Sequence, residues 1–375
     1  MPRIFARATS AVAVAVLVAA GLPGCSDDGP SDDAAGDDPA ATDGTGTAPG
    51  TDPAAVAAAP SAGCASPAEV AAEAGPDGHE RVTLASGGQD RWYLRRLPPA
   101  HDGSSPVPVV LDLHGYSEGA EVHVAMSGLG AFGDTAGFVT ITPQGQGPVP
   151  RWDVDLDGDD LAFVGDLLDE VEATLCVDTN RVYVTGLSNG AFLTSAVACR
   201  YAARVAAVAP VAGVRDIDGC DPDRPVPVVA FHGTDDEFVT FDGSLGEAVA
   251  DLPAPDGSGR TLGDLQEEGD PGPDAEAGPP PPTVPEIVAA WADRNGCQGD
   301  PASEPVANDV TVERYDCPAG AATELVRIEG GGHSWPGSEL SAAVADIVGH
   351  TTMSVSANEV MWAFFQDHPL TPDDA

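Results

Sequence analysis

Apolar residues follow two different patterns along this chain. Between 81 and 96, Val82-Thr83-Leu84 and Trp92-Tyr93-Leu94 alternate about Gly87-Gly88, which predicts an antiparallel hairpin. Further on the alternation stops. Residues 107–113, 138–142, 181–185, 226–231 and 324–328 are short continuous runs rich in Val and Ile, separated by helical stretches at 161–174, 191–199, 284–294 and 357–367. Strands that are apolar at consecutive positions must bury both faces. This order therefore predicts an α/β fold, with a mainly parallel central sheet and helices on both faces. Sites in such sheets lie at the carboxyl ends of the strands, so the residues just after each run matter most.

Two stretches break the pattern. Residues 26–62 are mostly Ala, Asp, Gly, Pro and Thr, and 251–283 repeat that composition with Glu and a run of Pro. Neither has enough apolar surface to offset the entropy of ordering. The first is expected to be a disordered acidic linker, the second a disordered surface insertion whose sharper reading is a lid over the site. Ahead of the linker, Arg3 and Arg7 precede an apolar run over 11–21, too short to span a bilayer and suited to a secretory signal core. It ends in Leu22-Pro23-Gly24-Cys25, which resembles a bacterial lipobox. Residues 1–25 then form an export signal, and lipid on Cys25 anchors the domain at 63–375 to the outer face of the cell membrane. If the lipobox is unused, the protein is secreted.

Charge narrows the partners. Among 375 residues, 60 acidic ones face 16 basic ones for a net charge of −44, which is unsuited to binding nucleic acid. Every basic residue is Arg; without Lys, pyridoxal Schiff bases, Ser–Lys dyads and P-loops are excluded. Setting Cys25 aside leaves Cys64, Cys176, Cys199, Cys220, Cys297 and Cys317, an even set that implies disulfides in an exported protein. No Cys-x-x-Cys pair suggests zinc.

The candidate chemistry starts at Gly186-Leu187-Ser188-Asn189-Gly190. A strand runs into this Gly-x-Ser-x-Gly turn and a small-residue helix leaves it, which is the arrangement of a nucleophile elbow. Such a serine needs a histidine oriented by a carboxylate, in the chain order Ser, Asp, His. Asp235 and Asp236 follow the 226–231 run, and His333 follows Gly330-Gly331-Gly332 after the 324–328 run. The residues alone do not choose between the two aspartates. Half of an oxyanion hole is expected from the loop His114-Gly115-Tyr116, as the backbone N–H of Tyr116, and the other half from the N–H of Asn189. Tyr116 and Trp335 are candidate pocket walls. His114 and His232 end two near-identical phrases, Val-Pro-Val-Val-Leu-Asp-Leu-His and Val-Pro-Val-Val-Ala-Phe-His, and read as structural strand caps. His123 falls in a helix.

Two motifs are set aside. Gly128-x-Gly130-x-x-Gly133 spells a dinucleotide fingerprint without a strand ending before it, and reads as helix packing. Residues 153–159 resemble the start of a calcium loop, but Val164 stands where a bidentate Glu belongs, so Asp159 or Asp160 is expected to cap the next helix.

At Leu113-His114-Gly115, Gly186-Leu187-Ser188-Asn189-Gly190, Val-Ala-Pro210-Val-Ala-Gly213, His232-Gly233-Thr234-Asp235-Asp236, Trp291-Ala-Asp-Arg-Asn295-Gly-Cys297 and Gly332-His333-Ser334-Trp335-Pro336-Gly337, the chain resembles the α/β-hydrolase esterases that include polyhydroxybutyrate depolymerase-like, feruloyl and acetyl xylan esterases. The resemblance covers roughly 78–369 without the acidic insertion. It implies the α/β-hydrolase fold, with Ser188 as nucleophile, Asp236 as the orienting acid and His333 as the base. Chain order and family likeness favour the pairs Cys64–Cys176, Cys199–Cys220 and Cys297–Cys317. The expectation is a monomeric, exported serine esterase that needs no cofactor or metal and acts on an ester substrate. A silent ester- or glycan-binding lipoprotein and a serine peptidase are the alternatives.

Overall fold

The computed structural model describes residues 56–269 and 280–371. Cys25 and residues 26–55 of the expected linker lie outside them. Among the described residues eleven strands form one sheet: β1 (Ala72–Ala74), β2 (Glu80–Ser86), β3 (Gln89–Arg96), β4 (Val107–Leu113), β5 (Val139–Pro143), β6 (Val177–Leu187), β7 (Ala207–Val211), β8 (Val228–Gly233), β9 (Gln298–Ala307), β10 (Val310–Asp316) and β11 (Thr323–Ile328). The helices are α1 (Ala120–Ser127), α2 (Leu129–Ala136), α3 (Asp159–Thr174), α4 (Asn189–Arg200), α5 (Leu262–Gly269), α6 (Val284–Arg294), α7 (Glu339–Ala343), α8 (Ala345–Val348) and α9 (Ala357–Asp367).

Strand order across the sheet is β1-β2-β3-β5-β4-β6-β7-β8-β11-β10-β9. From β5 to β11 every neighbouring pair is parallel, while both flanks are antiparallel. Successive strand residues point to opposite faces, and both faces are covered. Val109, Leu111, Val182, Val184, Val228 and Ala230 pack with Leu167, Val171, Val197 and Trp291 of α3, α4 and α6. Their neighbours Val110, Tyr183, Val229 and Phe231 pack on the other side with Leu129 of α2 and Met361 and Phe365 of α9. This is the α/β-hydrolase arrangement, and it explains why the central runs carry no polar alternation.

Three disulfides join Cys64 to Cys176, Cys199 to Cys220 and Cys297 to Cys317. The first carries the preceding segment onto the start of β6, and here the linker reading needs correction. Ala59 N–H donates to Asp178 Oδ1 (2.8 Å), Ser61 N–H to the Val177 carbonyl (2.9 Å) and Arg181 to the Val56 carbonyl (3.0 Å), so residues 56–62 belong to the domain. Their small side chains let the backbone lie against the strand edge. The insertion needs the same correction over its first part. Residues 251–269 are ordered, with Pro253 bridged to Thr261 and α5 following, because backbone groups there find partners in the loop and in the site below.

Helix α3 also differs from expectation at its start. Its N-cap is Gly158, while Asp159 and Asp160 occupy the first turn. Asp160 instead accepts from Arg91 (2.8 Å) and from the Asp153 N–H (2.8 Å), since a buried guanidinium needs a carboxylate more than the helix end does. Gly130 and Gly133 let α2 pack closely, for a Cβ at Gly130 would lie 2.6 Å from His79 Nε2.

Candidate active site

Strand β6 ends at Leu187 and α4 begins at Asn189, leaving Ser188 alone between them at φ 57°, ψ −117°. A side chain in that region is strained, and such strain persists only where the surroundings enforce it. They do so here through close backbone packing. A Cβ at Gly186 would lie 2.6 Å from the Leu113 carbonyl oxygen, and one at Gly190 only 2.1 Å from it. Ser188 N–H donates to the Val211 carbonyl on the neighbouring strand (2.9 Å). The side chain is half-buried.

Asp236 and His333 meet at the ends of β8 and β11. Asp236 is 3% exposed; its Oδ1 accepts the N–H groups of Phe238 (2.8 Å) and Val239 (2.9 Å), and its Oδ2 accepts His333 Nδ1–H (2.8 Å). Burial works to raise the carboxyl pKa, but His333 and these donors outweigh it and hold the group below its ordinary 3.8. Asp235, one residue earlier, is exposed and makes no bond to His333. His333 is 8% exposed, with the Phe238 ring 5.0 Å from its own. Ser188 lies at the end of β6, two strands from Asp236. The structure thus joins Asp236 to His333 and records no hydrogen bond from His333 to Ser188.

The loop after β4 lies against the serine: a Cβ at Gly115 would stand 3.7 Å from Ser188 Cβ. Tyr116 is on this loop, and its hydroxyl donates to the Pro253 carbonyl (2.8 Å), so the insertion rests on it at residue 253; residues 270–279 of the insertion lie outside the described residues. Asn189 is the first residue of α4, whose N–H has no acceptor within the helix. Its side chain brackets the Trp152 backbone, accepting from the N–H (2.7 Å) and donating to the carbonyl (3.1 Å).

A family model for esterase PHB depolymerase matches residues 92–219, which carry the strained serine and this loop. Over this stretch the chain is similar to the esterase PHB depolymerase family, and curated esterases resemble it more widely. Feruloyl esterase B of Piromyces equi is 28% identical over 256 residues, 65% of this chain but 42% of its own length. This chain therefore spans less than half of that relative. A Nocardia uniformis subsp. tsuyamanensis protein named as an esterase, NocK, is 29% identical over 294 residues, 74% of this chain and 79% of its own. The acetyl xylan esterase structure from Aspergillus awamori aligns with a TM-score of 0.49 at 14% identity, over 76% of this chain and 99% of that one.

One candidate falls elsewhere than expected, while the two strand-end histidines are structural as read from the sequence. Trp335 is 1% exposed, packed against His123 and donating to Asn358 Oδ1 (2.9 Å), so it cannot wall a pocket. An indole on a Gly-rich loop satisfies its N–H by turning inward. His114 donates from Nδ1 to the Gly115 carbonyl (2.7 Å) and accepts the Gly145 N–H at Nε2 (2.8 Å); burial lowers its pKa to about 4 and keeps it neutral. His232 bonds the Val239 carbonyl (2.7 Å), its pKa likewise lowered by burial. Among the described residues no cluster of three His, Cys, Asp or Glu side chains could hold a metal ion. The reading of the chain alone placed His123 in a helix, as found, but passed over its partners Asp112 and Glu118, with which it forms a buried charged network behind Gly115. One signal was available: Asp112 is the only charge in an otherwise apolar strand, and such a charge requires a buried partner.

Proposed function

We propose that this protein is an exported serine esterase that cleaves carboxylic esters through an acyl-enzyme. Ser188 attacks the ester carbonyl, His333 takes its proton at Nε2 and returns it to the leaving alcohol, and Asp236 holds the imidazole with Nδ1 protonated. The N–H groups of Tyr116 and Asn189 receive the oxyanion. Water then repeats the sequence on the acyl-enzyme and releases the acid. The observation that carries the reading is the strained backbone of Ser188 at the strand–helix junction ending β6, on the same sheet whose β8 and β11 ends hold the buried Asp236–His333 pair. A merely structural serine gains nothing from φ 57°.

The substrate class follows the relatives' names: feruloyl or acetyl esters of plant polysaccharide, with short hydroxybutyrate oligoesters as the other class in the family. The three disulfides support export, and lipid on Cys25 would hold the domain at the outer membrane face. A hydrolysis screen over aryl esters of increasing acyl length, feruloyl esters, acetylated xylan and hydroxybutyrate oligomers tests the reading. Turnover of at least one class, abolished by Ser188→Ala, is expected; a folded protein inert toward all of them would overturn it in favour of a binding lipoprotein. Cys25→Ser should move activity from the membrane fraction to the medium, and a mutant retained on membranes would remove the anchor.

A further inference from the structure

Behind the oxyanion loop lies a set of ionised groups that the proposed mechanism does not use. Asp112 is 1% exposed in β4 and faces α1, where His123 and Ser127 stand one turn apart. His123 Nε2–H donates to Asp112 Oδ1 (2.7 Å), and Ser127 Oγ–H to Asp112 Oδ2 (2.6 Å). On the other side of the ring, His123 Nδ1–H donates to Glu118 Oε2 (3.0 Å). Both ring nitrogens therefore face carboxylates, which only the imidazolium satisfies. Burial disfavours that cation, but Asp112 and Glu118 together push its pKa up to about 10. Glu118 Oε2 makes one further bond, accepting the N–H of Gly115 (2.7 Å).

That bond fixes one peptide plane, and His114 fixes the next. Its Nδ1–H holds the Gly115 carbonyl at 2.7 Å. In a trans peptide the carbonyl and the following N–H point opposite ways, so the Tyr116 N–H is turned away from the His114 ring. It has no acceptor among the described residues' hydrogen bonds. Burying three charges is a poor route to stability, since apolar side chains of similar volume do as well or better. Aiming a backbone donor is a task that apolar side chains cannot perform.

We propose that the Asp112–His123–Glu118 network is a positioning device for the oxyanion-binding peptide, clamping Gly115 from behind so that the Tyr116 N–H faces the reacting carbonyl. The same cluster reaches the base: Trp335, two residues after His333, lays its ring edge-on to His123 at 5.7 Å, and Asn358 links Trp335 to the Ser127 carbonyl. The two halves of the site thus share one support. This inference rests on the serine esterase reading.

The test compares Glu118→Ala with wild type on one aryl ester and measures binding of an aryl trifluoromethyl ketone. In that adduct the Ser188 Oγ–carbon bond forms, the carbonyl electron pair becomes an oxyanion and the hydroxyl proton passes to His333. Losing one oxyanion donor typically costs about 10²–10³ in kcat. Glu118→Ala should lower kcat by about that factor, change KM less than about threefold, and weaken the ketone in step with kcat/KM. Glu118→Gln, whose carbonyl oxygen can still accept the Gly115 N–H, should lose only about three- to tenfold and decides the matter if the alanine variant does not fold. A lower melting temperature with kcat and ketone affinity unaltered in both variants would reduce the network to a structural role and overturn the proposal. Absence of wild-type turnover would instead fail the esterase reading.

Discussion

Two buried histidine–carboxylate sets, one between β4 and α1 and one at the ends of β8 and β11, differ in one respect. His333 has a carboxylate on Nδ1 only and sits at the surface of the site, so its Nε2 remains able to accept and return a proton. His123 has carboxylates on both nitrogens and no exposure at all. The first can be a base; the second can only be a fixed cation. The residue types are the same, and the number of carboxylates around the ring decides between proton transfer and scaffolding.

The largest effect should come from the acid of the first set. In a serine protease triad, changing the orienting acid to Asn costs about 10⁴ in turnover. Asp236→Asn should lower kcat on an aryl ester by a comparable factor, while exposed Asp235→Asn should lose less than about threefold, both proteins giving native circular dichroism. The reverse pattern would move the acid by one residue.

In the second set the larger effect should be on stability. His123→Gln leaves Asp112 and Glu118 facing each other without a cation, and removing one partner of a buried pair typically costs about 3–5 kcal/mol. Urea unfolding at pH 7 measures this, and a loss below about 1 kcal/mol would mean that the carboxylates are not both ionised.

The elbow, the glycine loop before His333 and the alternation of strands and helices were legible because each is a local pattern with one geometric outcome. The Asp112 network was not, since its partners lie on a strand, a loop and a helix whose contact exists only after folding. Strand β7 was missed because Ala207–Val211 is built from Ala, Pro and Val, too small to read as a strand run. The edge pair β9 and β10 was missed for the opposite reason, being polar and mostly exposed along Gln298–Ala307. Composition misled at 251–269, where an acidic, Gly- and Pro-rich stretch is ordered by backbone bonds, including one to Tyr116.

The two sets should also part in their pH response. Asp236 is held below 3.8, so its contribution is present above that value and is lost as the pH falls through the lowered pKa. His123 is raised from 6.5 to about 10, so its contribution is complete below 6.5 and is lost as the pH rises toward 10. Unfolding free energy should accordingly decline between pH 7 and 9.5, before the tyrosines titrate, and His123→Gln should flatten that decline. Parallel slopes in the two proteins would contradict the assignment of the charge.

The smallest effect is expected at Tyr116. Its assigned group is the backbone N–H, so Tyr116→Phe, which removes only the bond to the Pro253 carbonyl, should change kcat by less than about threefold. A large loss would make the hydroxyl part of the chemistry.

The most direct measurement is labelling with a fluorophosphonate followed by peptide mass mapping. A serine activated by His333 and Asp236 should carry the single adduct, on the peptide containing Ser188, and the adduct should disappear in His333→Ala. An unlabelled folded protein, or an adduct on any other serine, would contradict the assignment of Ser188 as the nucleophile.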